Sequence, residues 1–360
     1  MKKQYIKDLR AGMPVDSIFV ISRKTIKKTK SEQDYCLVCL QDKDGLIDGI
    51  MWPKAIINSD LFEEGDFVKI NGIVSEYKGT RQIEISSIKK VDEGEKIEYS
   101  DFIRATKKNI NEMFSEMLSF IESIENKPLK KLLNLFFEDE KFSESFCNST
   151  AAVQYHHAYK GGLLEHTLSV IKICDFLSKN YPSLNRDILL AGVILHDVGK
   201  IREYQFDEKN NVTIKISDEG KLLGHITIGY GMVLEKISQI KGFSRDLKDR
   251  LLHIILSHHG AKEFGSPKRP KILEAFVVYH VDHMDADVGG FSIILEESGG
   301  RVEWSEFVKN FERSIFLKEL DLQEGIGVNS DDTNHEEVED IDDINLIREK
   351  KTDLSQDELF

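Results

Sequence analysis

Cysteine is scarce in this sequence, and long apolar runs are absent. Four cysteines in 360 residues are too few for a disulfide scaffold, and reduced thiols are typical of the cytoplasm. The longest apolar stretches, such as residues 189–195, are far shorter than the roughly 20 residues that a membrane helix needs. The N-terminal lysines are not followed by the apolar segment of a secretory signal. These absences predict a cytoplasmic protein without a membrane-spanning segment.

Charge is unevenly distributed along the chain. The net charge is -14, but residues 322–360 hold 13 acidic and 3 basic residues and so carry -10 of it. Residues 1–90 hold 16 basic and 13 acidic residues, with four lysines between positions 24 and 30. The overall acidity therefore does not exclude nucleic acid as a partner, because the N-terminal part offers a local basic patch. We expect the acidic tail to be disordered or to bind a partner.

Length and residue pattern predict a multidomain α+β chain. With 360 residues, 40% of them hydrophobic and 31% charged, the sequence exceeds one ordinary core and is not of low complexity. From about residue 15 to 91, five β-branched runs alternate with turn residues, and a longer segment beginning with Pro53 separates the third from the fourth. The pattern alone predicts a small β-barrel. Its order of three strands, a helical insert and two strands resembles an OB-fold.

A helical pattern replaces the strands after about residue 101. Four apolar residues recur there at helical spacing: Phe114, Met117, Leu118 and Ile121. Residues 150–320 continue as successive helices, with one short strand-like stretch near Val212. We predict four segments: a five-stranded OB-type barrel that binds single-stranded nucleic acid at 1–95, a helical connector at 96–150, an all-α domain at 151–321 and the acidic tail at 322–360.

Histidine and aspartate residues recur on the apolar faces of the predicted helices. His166, for example, lies three residues after Leu163 and four before Val170, so it shares a face with core residues. The same relation holds for His196, His258, His259 and Asp282. Asp197 directly follows His196, and His225 begins another helix. Ionisable side chains therefore point inward from several separate helices.

These imidazoles and carboxylates predict a metal centre. Their burial is costly unless each group is paired or bound to a cation. Imidazoles and carboxylates without thiolates suit Mn²⁺ first, with Fe²⁺, Mg²⁺ or Zn²⁺ as alternatives. The candidate ligands exceed what one tetrahedral ion takes, so we expect two ions that share Asp197. One inward histidine is more often a hydrogen-bonded core residue, but several such segments together favour the metal.

The order of these residues is similar to the signature of the HD superfamily of metal-dependent phosphohydrolases. The resemblance rests on His166, His196, Asp197 and Asp282, and the added His225, His258 and His259 resemble the subset with a two-metal centre. It implies that one ion is held by His166, His196, Asp197 and Asp282, and the other by Asp197, His225, His258 and His259. Asp285 remains an alternative to Asp282.

Longer motifs resemble the YhaM family of 3′–5′ exoribonucleases. They are HHAYKGGLLEHTLSV from His156, LHDVGKIREY from Leu195, GHITIGYGMV from Gly224 and SHHGAKEFGSPKRP from Ser257. The family joins an N-terminal OB-type domain to an HD domain, and the resemblance covers roughly residues 10–320. It implies a metal-dependent enzyme that degrades single-stranded RNA to nucleoside monophosphates. Single-stranded DNA remains open as a further substrate.

The two-metal resemblance also implies a mechanism of hydrolysis. Two neighbouring ions would lower the pKa of a water molecule, and the hydroxide would attack the phosphorus atom in line. Asp197 would hold the ions, and Lys200, one turn after His196, would stabilise the transition state or the leaving oxygen. The alternative for Lys200 is an ordinary lysine at a helix C-terminus. His156 and His157 precede a Gly-Gly turn and would contact phosphate or a base, or be purely structural.

The predicted barrel carries candidate residues for binding a single strand. An OB barrel binds such strands through a basic groove with aromatic side chains on which bases stack. The candidates are Lys24, Lys27, Lys28 and Lys30 for the phosphate backbone, Tyr35 and Trp52 for stacking, and Lys78 and Arg81 beside a predicted hairpin loop. Each of them alone is equally typical of a solvated edge or a core position.

Two further patterns predict structure rather than chemistry. Cys36 and Cys39 stand three residues apart in a predicted strand, so their side chains face opposite sides and no metal site is expected there. An apolar stripe at helical spacing predicts one more helix, which packs against the core or supports a homo-oligomer contact. The stripe consists of Trp304, Phe307, Val308, Phe311 and Ile315.

Two other functions remain alternatives: an HD enzyme acting on a nucleotide or cyclic dinucleotide, and a non-catalytic nucleic-acid-binding accessory protein. The barrel argues against the first, because a small nucleotide needs no strand-binding groove. The sequence HHGAKEFGSP also lacks the Gly-Tyr-Pro element expected of the cyclic-dinucleotide group. The complete set of candidate ligands argues against the second. Loss of turnover with retained strand binding on substitution of Asp197 would distinguish an enzyme from a binding protein.

Overall fold

Five strands close into a barrel in the computed structural model. They are β1 (Pro14–Lys28), β2 (Asp34–Asp42), β3 (Gly45–Met51), β4 (Phe67–Tyr77) and β5 (Thr80–Lys90). Their order around the barrel is β1-β2-β3-β5-β4, and β3 and β5 are the parallel pair. This arrangement confirms the predicted five-stranded OB-type barrel.

The described part of the chain has several gaps. It comprises residues 2–29, 31–53, 62–77, 80–92, 94–152, 158–206, 210, 212–298, 303–305, 307–308 and 311–318. The helical insert predicted after Pro53 lies mostly at 54–61, outside this part. The acidic tail lies outside it as well.

Strand β1 is long enough to pair with two neighbours. Its first half pairs with β4 from Pro14 to Val20, and its second half pairs with β2 from Val20 to Lys28. Alternate residues of a strand point to opposite faces, and the inward set fills the barrel with apolar side chains such as Phe19 and Leu40. The outward set is left for contacts with the rest of the protein and with ligands.

Helices follow the barrel in chain order. They are α1 (Ile110–Glu122), α2 (Lys127–Phe137), α3 (Glu140–Asn148), α4 (Gly162–Asn180), α5 (Arg186–Leu195), α6 (Lys200–Glu203), α7 (Asp218–Ser238), α8 (Arg245–Ser257) and α9 (Leu273–Ser298). One buried apolar cluster joins α1–α3 to the later helices and includes Met117, Phe136, Leu190 and Ile254. Helices from the segment predicted as a connector thus share the core of the helical domain. None of the described helices is both long and apolar enough to cross a membrane.

A two-stranded hairpin interrupts the helices. Strand β6 (Tyr204–Phe206) pairs antiparallel with β7 (Ile214–Ile216), in agreement with the strand predicted near Val212. The hairpin also contacts the barrel, because the side-chain amide of Gln41 on β2 donates to the backbone carbonyl of Val212 at 3.3 Å. The same amide donates to the carbonyl of Phe102 at 3.1 Å.

A small apolar cluster seals this contact between barrel and helical domain. It consists of Ile18, Val20, Phe102 and Val212, all of them buried. Beside it, Asn210 donates from Nδ2 to the carbonyl of Gly65 at 2.7 Å. The hairpin therefore attaches the barrel through both apolar burial and hydrogen bonds to the backbone.

The prediction of a helix for the C-terminal apolar stripe is wrong. Among the described residues of this segment, Trp304 forms an antiparallel bridge with Phe316, and Val308 forms one with Arg313. Glu312, which lies in the turn, has a φ of 51°, whereas helical residues have φ near -60°. Trp304, Phe307 and Val308 precede this turn, Phe311 lies in it, and Ile315 follows it. Over so few residues, helical spacing does not distinguish an antiparallel turn from a helix.

Candidate metal centre

Each candidate ligand lies at the end or on the buried face of a helix. His166 lies on the buried face of α4, and His196 caps the C-terminus of α5 with Asp197 directly after it. His258 caps the C-terminus of α8, and Asp282 lies on α9. At the ends of α5 and α8, the histidines follow directly on buried apolar segments. Four of them are at most 2% exposed: His166, His196, Asp197 and His258.

A break in α7 positions His225. The backbone at Gly224 is non-helical, with a φ of 70°, a conformation that glycine adopts without the penalty of a Cβ atom. The helix resumes at His225, whose backbone N–H donates to Glu203 Oε1 at 3.2 Å and whose Nδ1 donates to Glu203 Oε2 at 2.8 Å. Glu203 is the last residue of α6 and thereby fixes both the start of the second helical segment and the orientation of the imidazole.

Asp197 lies between two groups of histidines. Its Oδ2 atom is 3.2 Å from His196 Nε2 and 3.7 Å from His166 Nε2. Its Oδ1 atom is 3.5 Å from the Nε2 atoms of both His225 and His258. Among the described residues, two sets have ligand atoms close enough to hold an ion: His166, His196 and Asp197, and His225, His258 and His259. A carboxylate that presents one oxygen to each set has the geometry of a bridging ligand.

The five imidazoles all use Nδ1 for a hydrogen bond outside the centre. The acceptors are backbone carbonyls, at 2.6 to 2.8 Å, for His196, His258 and His259, and carboxylates, at 2.8 Å, for His166 and His225. A carbonyl only accepts, so Nδ1 carries the proton and Nε2 of a neutral ring carries a lone pair. The Nε2 atoms of His166 and His196 are 3.3 Å apart. Histidines that bind metals are typically oriented in this way.

Four buried atoms of the centre make no hydrogen bond of good geometry within the described structure. They are both carboxylate oxygens of Asp197 and the Nε2 atoms of His225 and His258. Each such group costs about 1–3 kcal/mol when left unsatisfied, and more when it is charged. Lys200 compensates part of the charge, since its Nζ forms an ion pair with Asp197 Oδ2 at 2.6 Å. Divalent cations would satisfy the remaining lone pairs, so these residues fit a metal.

Asp282 and Asp285, both on α9, lie on opposite sides of the His166 ring. Asp282 Oδ1 is 3.1 Å from His166 Nε2 and 3.8 Å from His196 Nε2, on the inner side. Asp285 Oδ2 accepts from His166 Nδ1 at 2.8 Å, and its other oxygen accepts from the Ser169 hydroxyl. The structure therefore places Asp282 among the candidate ligand atoms and Asp285 behind the ring, where it orients the imidazole.

Burial and neighbouring charges together determine the protonation of the centre. Burial opposes the charge of Asp197, but the charges of His196 and Lys200 outweigh it and hold the carboxyl pKa well below its usual range. Burial likewise lowers the pKa of His166, yet its two flanking aspartates raise that pKa to about 9. Burial lowers the pKa of His259 to about 3. His259 is therefore neutral near pH 7, whereas His166 is protonated there and would release its proton on binding a cation, because a metal ligand must be deprotonated.

The barrel brings the two predicted stacking residues together. The rings of Tyr35, on β2, and Trp52, just after β3, are stacked with centroids 5.7 Å apart and an angle of 30° between their planes. Trp52 is 48% exposed. Lys27 lies opposite Tyr35 in the register of β1 and β2. An aromatic platform with a basic neighbour therefore faces outward from the barrel.

The other predicted strand-binding residues have more varied surroundings. The Lys24 ammonium donates to the carbonyl of Phe62 at 2.9 Å, and the ammonium of Lys28 lies 3.2 Å from a carboxylate oxygen of Glu32. Arg81 donates to a backbone carbonyl near the N-terminus at 2.5 Å. The remaining candidates lie outside the described residues: Lys30, Lys78, His156 and His157.

Comparison with known proteins identifies both domains. A family model for the HD domain matches residues 163–287, and a model for an OB-fold nucleic acid binding domain matches residues 20–91. A 3′–5′ exoribonuclease YhaM from Geobacillus sp. (strain WCH70) is 31% identical over 86% of this chain and 93% of its own length. The chain belongs to the YhaM family. Proteins of the same name from Bacillus velezensis and Bacillus subtilis (strain 168) are each 31% identical over 85% of this chain and 95% of their own lengths.

The HD-domain match at residues 163–287 contains the whole candidate centre, from His166 to Asp282. It also contains a residue that sequence reasoning missed. Glu203 falls within the motif LHDVGKIREY, but its bond to His225 spans 22 positions along the chain. No local periodicity reports such a contact. The signal available in the sequence is the place of Glu203 in that motif, whereas its burial, with 8% of its surface exposed, becomes visible only in the fold.

Proposed function

We propose that this protein is a metal-dependent 3′–5′ exoribonuclease that shortens single-stranded RNA and releases nucleoside monophosphates. The observation that carries the proposal is the buried Asp197 carboxylate, which presents one oxygen to each of two histidine groups. Such a centre suits the hydrolysis of phosphodiesters. The OB-type barrel and the exoribonuclease relatives support a polynucleotide as the substrate.

We propose that the centre holds two divalent ions, with Mn²⁺ as the first candidate and Fe²⁺, Mg²⁺ or Zn²⁺ as alternatives. His166, His196, Asp197 and Asp282 would hold one ion, and Asp197, His225, His258 and His259 the other. When bound, such ions supply Lewis-acid charge to a phosphate and lower the pKa of water. The unpartnered Nε2 atoms and carboxylate oxygens support this assignment.

Lys200 is proposed as the residue that binds the scissile phosphate. Its ammonium lies 2.6 Å from Asp197 Oδ2, and its side chain is 11% exposed at the beginning of α6. An ammonium has three donors, so the pair with Asp197 leaves donors for a phosphate oxygen. In a largely buried site, such a fixed positive charge stabilises the negative charge that develops on the phosphate.

Glu203 and Asp285 act on the centre through histidines. By accepting from the Nδ1 atoms of His225 and His166, they keep the proton on that nitrogen and leave the Nε2 lone pair directed inward. They thus fix the tautomer and the orientation of two rings. We assign both carboxylates as positioning residues rather than ligands.

The barrel is proposed to hold the strand whose 3′ end enters the centre. Tyr35 and Trp52 would stack on bases, and Lys27 would contact the phosphate backbone. Stacking and phosphate contacts do not report the 2′-hydroxyl group, so we propose single-stranded DNA as a second substrate. We further propose a cytoplasmic location for the protein, where such RNA is available.

Two end-labelled RNAs test the proposal. One copy of a single-stranded RNA carries a 5′ label and the other a 3′ label, and each is incubated with Mn²⁺, Mg²⁺ or EDTA. We expect a receding ladder from the first and labelled mononucleotide from the second, because cleavage begins at the 3′ end. EDTA and the substitution Asp197→Ala should abolish both, and the exposed Asp246→Ala on α8 should abolish neither.

Other outcomes would exclude the proposal. Internal fragments from both labels would indicate an endonuclease, and full activity in EDTA would exclude a metal-dependent reaction. If no ion supports cleavage, nucleotides and cyclic dinucleotides are the next substrates to test. RNA binding without turnover of any of them would identify a binding protein.

A further inference from the structure

A cleft lies between the barrel and the β6–β7 hairpin. Its volume is about 270 Å³, and residues of both domains line it. Arg23 and Cys39 line it from the barrel, Phe206 and Thr213 line it from the hairpin, and Arg104 lines it from the segment that joins the two domains. We call it the interdomain cleft. It is separate from the metal centre and from the Tyr35–Trp52 pair.

Guanidinium groups dominate the charge of the interdomain cleft. Arg23, Arg81 and Arg104 line it, and Asp48 is the acidic residue of the lining. Arg23 lies opposite Cys39 in the register of β1 and β2, and Arg104 lines the same cleft from the connecting segment. Planar guanidiniums bind phosphate through paired hydrogen bonds. The interdomain cleft therefore has the chemistry of a site for a phosphate.

The outward face of β2 connects the stacked pair to the cleft. Tyr35, Leu37 and Cys39 alternate along this face, and Tyr35 and Cys39 are separated by about 13 Å at the usual strand rise. On the neighbouring β1, Lys27 lies opposite Tyr35 and Arg23 lies opposite Cys39. A single strand that leaves the aromatic pair along β2 thus passes from one basic side chain to the next and reaches the cleft.

Strand β6 connects the cleft to the metal centre. Phe206 lines the cleft, and Tyr204 lies two residues before it, about 7 Å away at the usual strand rise. Glu203, directly before Tyr204, holds the His225 imidazole. The cleft and the centre are therefore joined by one short stretch of chain.

Arg104 makes the same connection from the other side. The backbone carbonyl of Arg104 accepts from the backbone N–H of Lys160 at 2.9 Å. The hydroxyl of Tyr159, one residue earlier, donates to Glu165 Oε2 at 3.0 Å, and Glu165 directly precedes His166 on α4. Arg104 is thus linked by hydrogen bonds to the helix that carries a candidate ligand, while it also lines the cleft.

We propose that the interdomain cleft is a subsite for the RNA strand, in which Arg23 and Arg104 bind phosphates between the Tyr35–Trp52 pair and the scissile end. The proposal rests on the proposed function and adds the route by which the strand crosses from barrel to metal centre. Phosphates in the cleft belong to nucleotides upstream of the bond that is cut. Their binding therefore adds affinity for a strand and does not take part in the chemical step.

Substitution of the two arginines tests the subsite. The variants are Arg23→Gln, Arg104→Gln, the double variant and Arg104→Lys, and the exposed Arg245→Gln on α8 is the matched control. Binding of a fluorescent 20-nucleotide RNA is measured by anisotropy in EDTA over a range of salt concentrations. Degradation of the same RNA with Mn²⁺ gives kcat and KM, and thermal melting reports folding.

We expect the double variant to raise KM by about tenfold while kcat changes by less than about twofold, because the lost contacts bind substrate and transition state equally. Each lost phosphate contact should reduce the slope of log K against log salt concentration by about 0.7. Arg104→Lys should retain most of the affinity, since it keeps the charge. Arg245→Gln should match the wild type.

Three results would overturn the subsite. The first is a double variant whose salt slope and KM equal those of Arg245→Gln. The second is a loss that is confined to kcat. The third is that Arg104→Lys binds RNA no better than Arg104→Gln although both variants melt normally. If Arg104→Gln does not fold, the exposed Arg23→Gln decides by the same readouts. Wild type that binds RNA but does not shorten it would instead refute the exoribonuclease, and the anisotropy in EDTA would still decide the cleft.

Discussion

The metal centre and the strand-binding face of the barrel use ionisable and aromatic residues in opposite ways. At the centre, His196, Asp197 and His258 are at most 1% exposed, and several of their polar atoms lack hydrogen-bond partners. On the barrel, Trp52 is 48% exposed and Lys27 lies at the surface. Burial of the first group is unfavourable unless a cation is bound, whereas exposure of the second group costs little. The functional residues of the metal centre are therefore recognisable by the energetic cost of their burial. Those of the barrel are recognisable only because they lie next to one another.

The largest effect should come from a buried ligand. We expect His258→Ala to lower kcat on RNA by at least about 10³-fold, because the loss of Lewis-acid stabilisation of several kcal/mol corresponds to this factor. RNA affinity in EDTA should remain close to that of the wild type, since the barrel is unchanged. Single-turnover degradation, anisotropy and metal content by mass spectrometry provide the test. His253→Ala, on the same helix, is the control, and an equal loss there would assign the effect to folding.

A positioning carboxylate should matter less than a ligand. Substitution Glu203→Gln should weaken Mn²⁺ binding or activity by about 10–100-fold, the usual range for residues that orient a ligating histidine. Raised Mn²⁺ should restore much of the activity, because the ligands themselves remain. A Mn²⁺ titration of activity checks this, with the exposed Glu235→Gln on α7 as control. Activity that stays low at saturating Mn²⁺ would instead place Glu203 in the chemical step.

The aromatic platform should contribute binding rather than chemistry. Base stacking on an aromatic side chain contributes about 1–3 kcal/mol, so Trp52→Ala should raise KM for a long RNA about tenfold or more with a much smaller change in kcat. The sequence has two tryptophans, and Trp304→Ala, outside the barrel, is the matched control. Steady-state kinetics on a 20-nucleotide RNA distinguishes them. A fall in kcat as large as that of His258→Ala would show that Trp52 contributes to the chemical step rather than to binding.

The smallest effect should come from a single surface lysine. Substitution Lys27→Gln should weaken RNA binding about two- to threefold near physiological salt and reduce the salt slope by about 0.7, as expected for one phosphate contact to a single strand. Anisotropy titrations at several salt concentrations measure both values. Lys241→Gln, an exposed lysine of the helical domain, is the comparison. Identical slopes for the two variants would remove Lys27 from the strand-binding face.

The difference between the buried centre and the exposed face of the barrel also explains how much of the site the sequence predicts. Helical spacing alone indicates that His166, His196 and Asp282 face inward, and the cost of burying them predicts a cation. The structure brings these residues together and separates Asp282 from Asp285, which spacing left open. Glu203 escapes prediction because its contact with His225 depends on how α6 packs against α7.

Sequence reasoning also predicts the barrel better than the residues on it. The order of strands and insert is enough for the OB-type fold, since each strand alternates in a recognisable way. The bonds of Lys24 and Arg81 to backbone carbonyls depend on the packing of distant segments, so no local pattern reports them. The apolar stripe near Trp304 fails for a related reason, because residues at positions i, i+3 and i+4 also recur in a short antiparallel turn.

The shared core of α1–α3 and the later helices has a consequence for attempts to divide the protein. Met117 and Phe136 are almost fully buried in the same cluster as Leu190 and Ile254, so a fragment that begins near residue 150 would expose the apolar surface that these helices cover. Such a fragment would be prone to aggregate before its catalytic competence could be measured. The smallest autonomous catalytic piece therefore begins ahead of α1, and the helices between barrel and centre are part of the catalytic domain's folding unit.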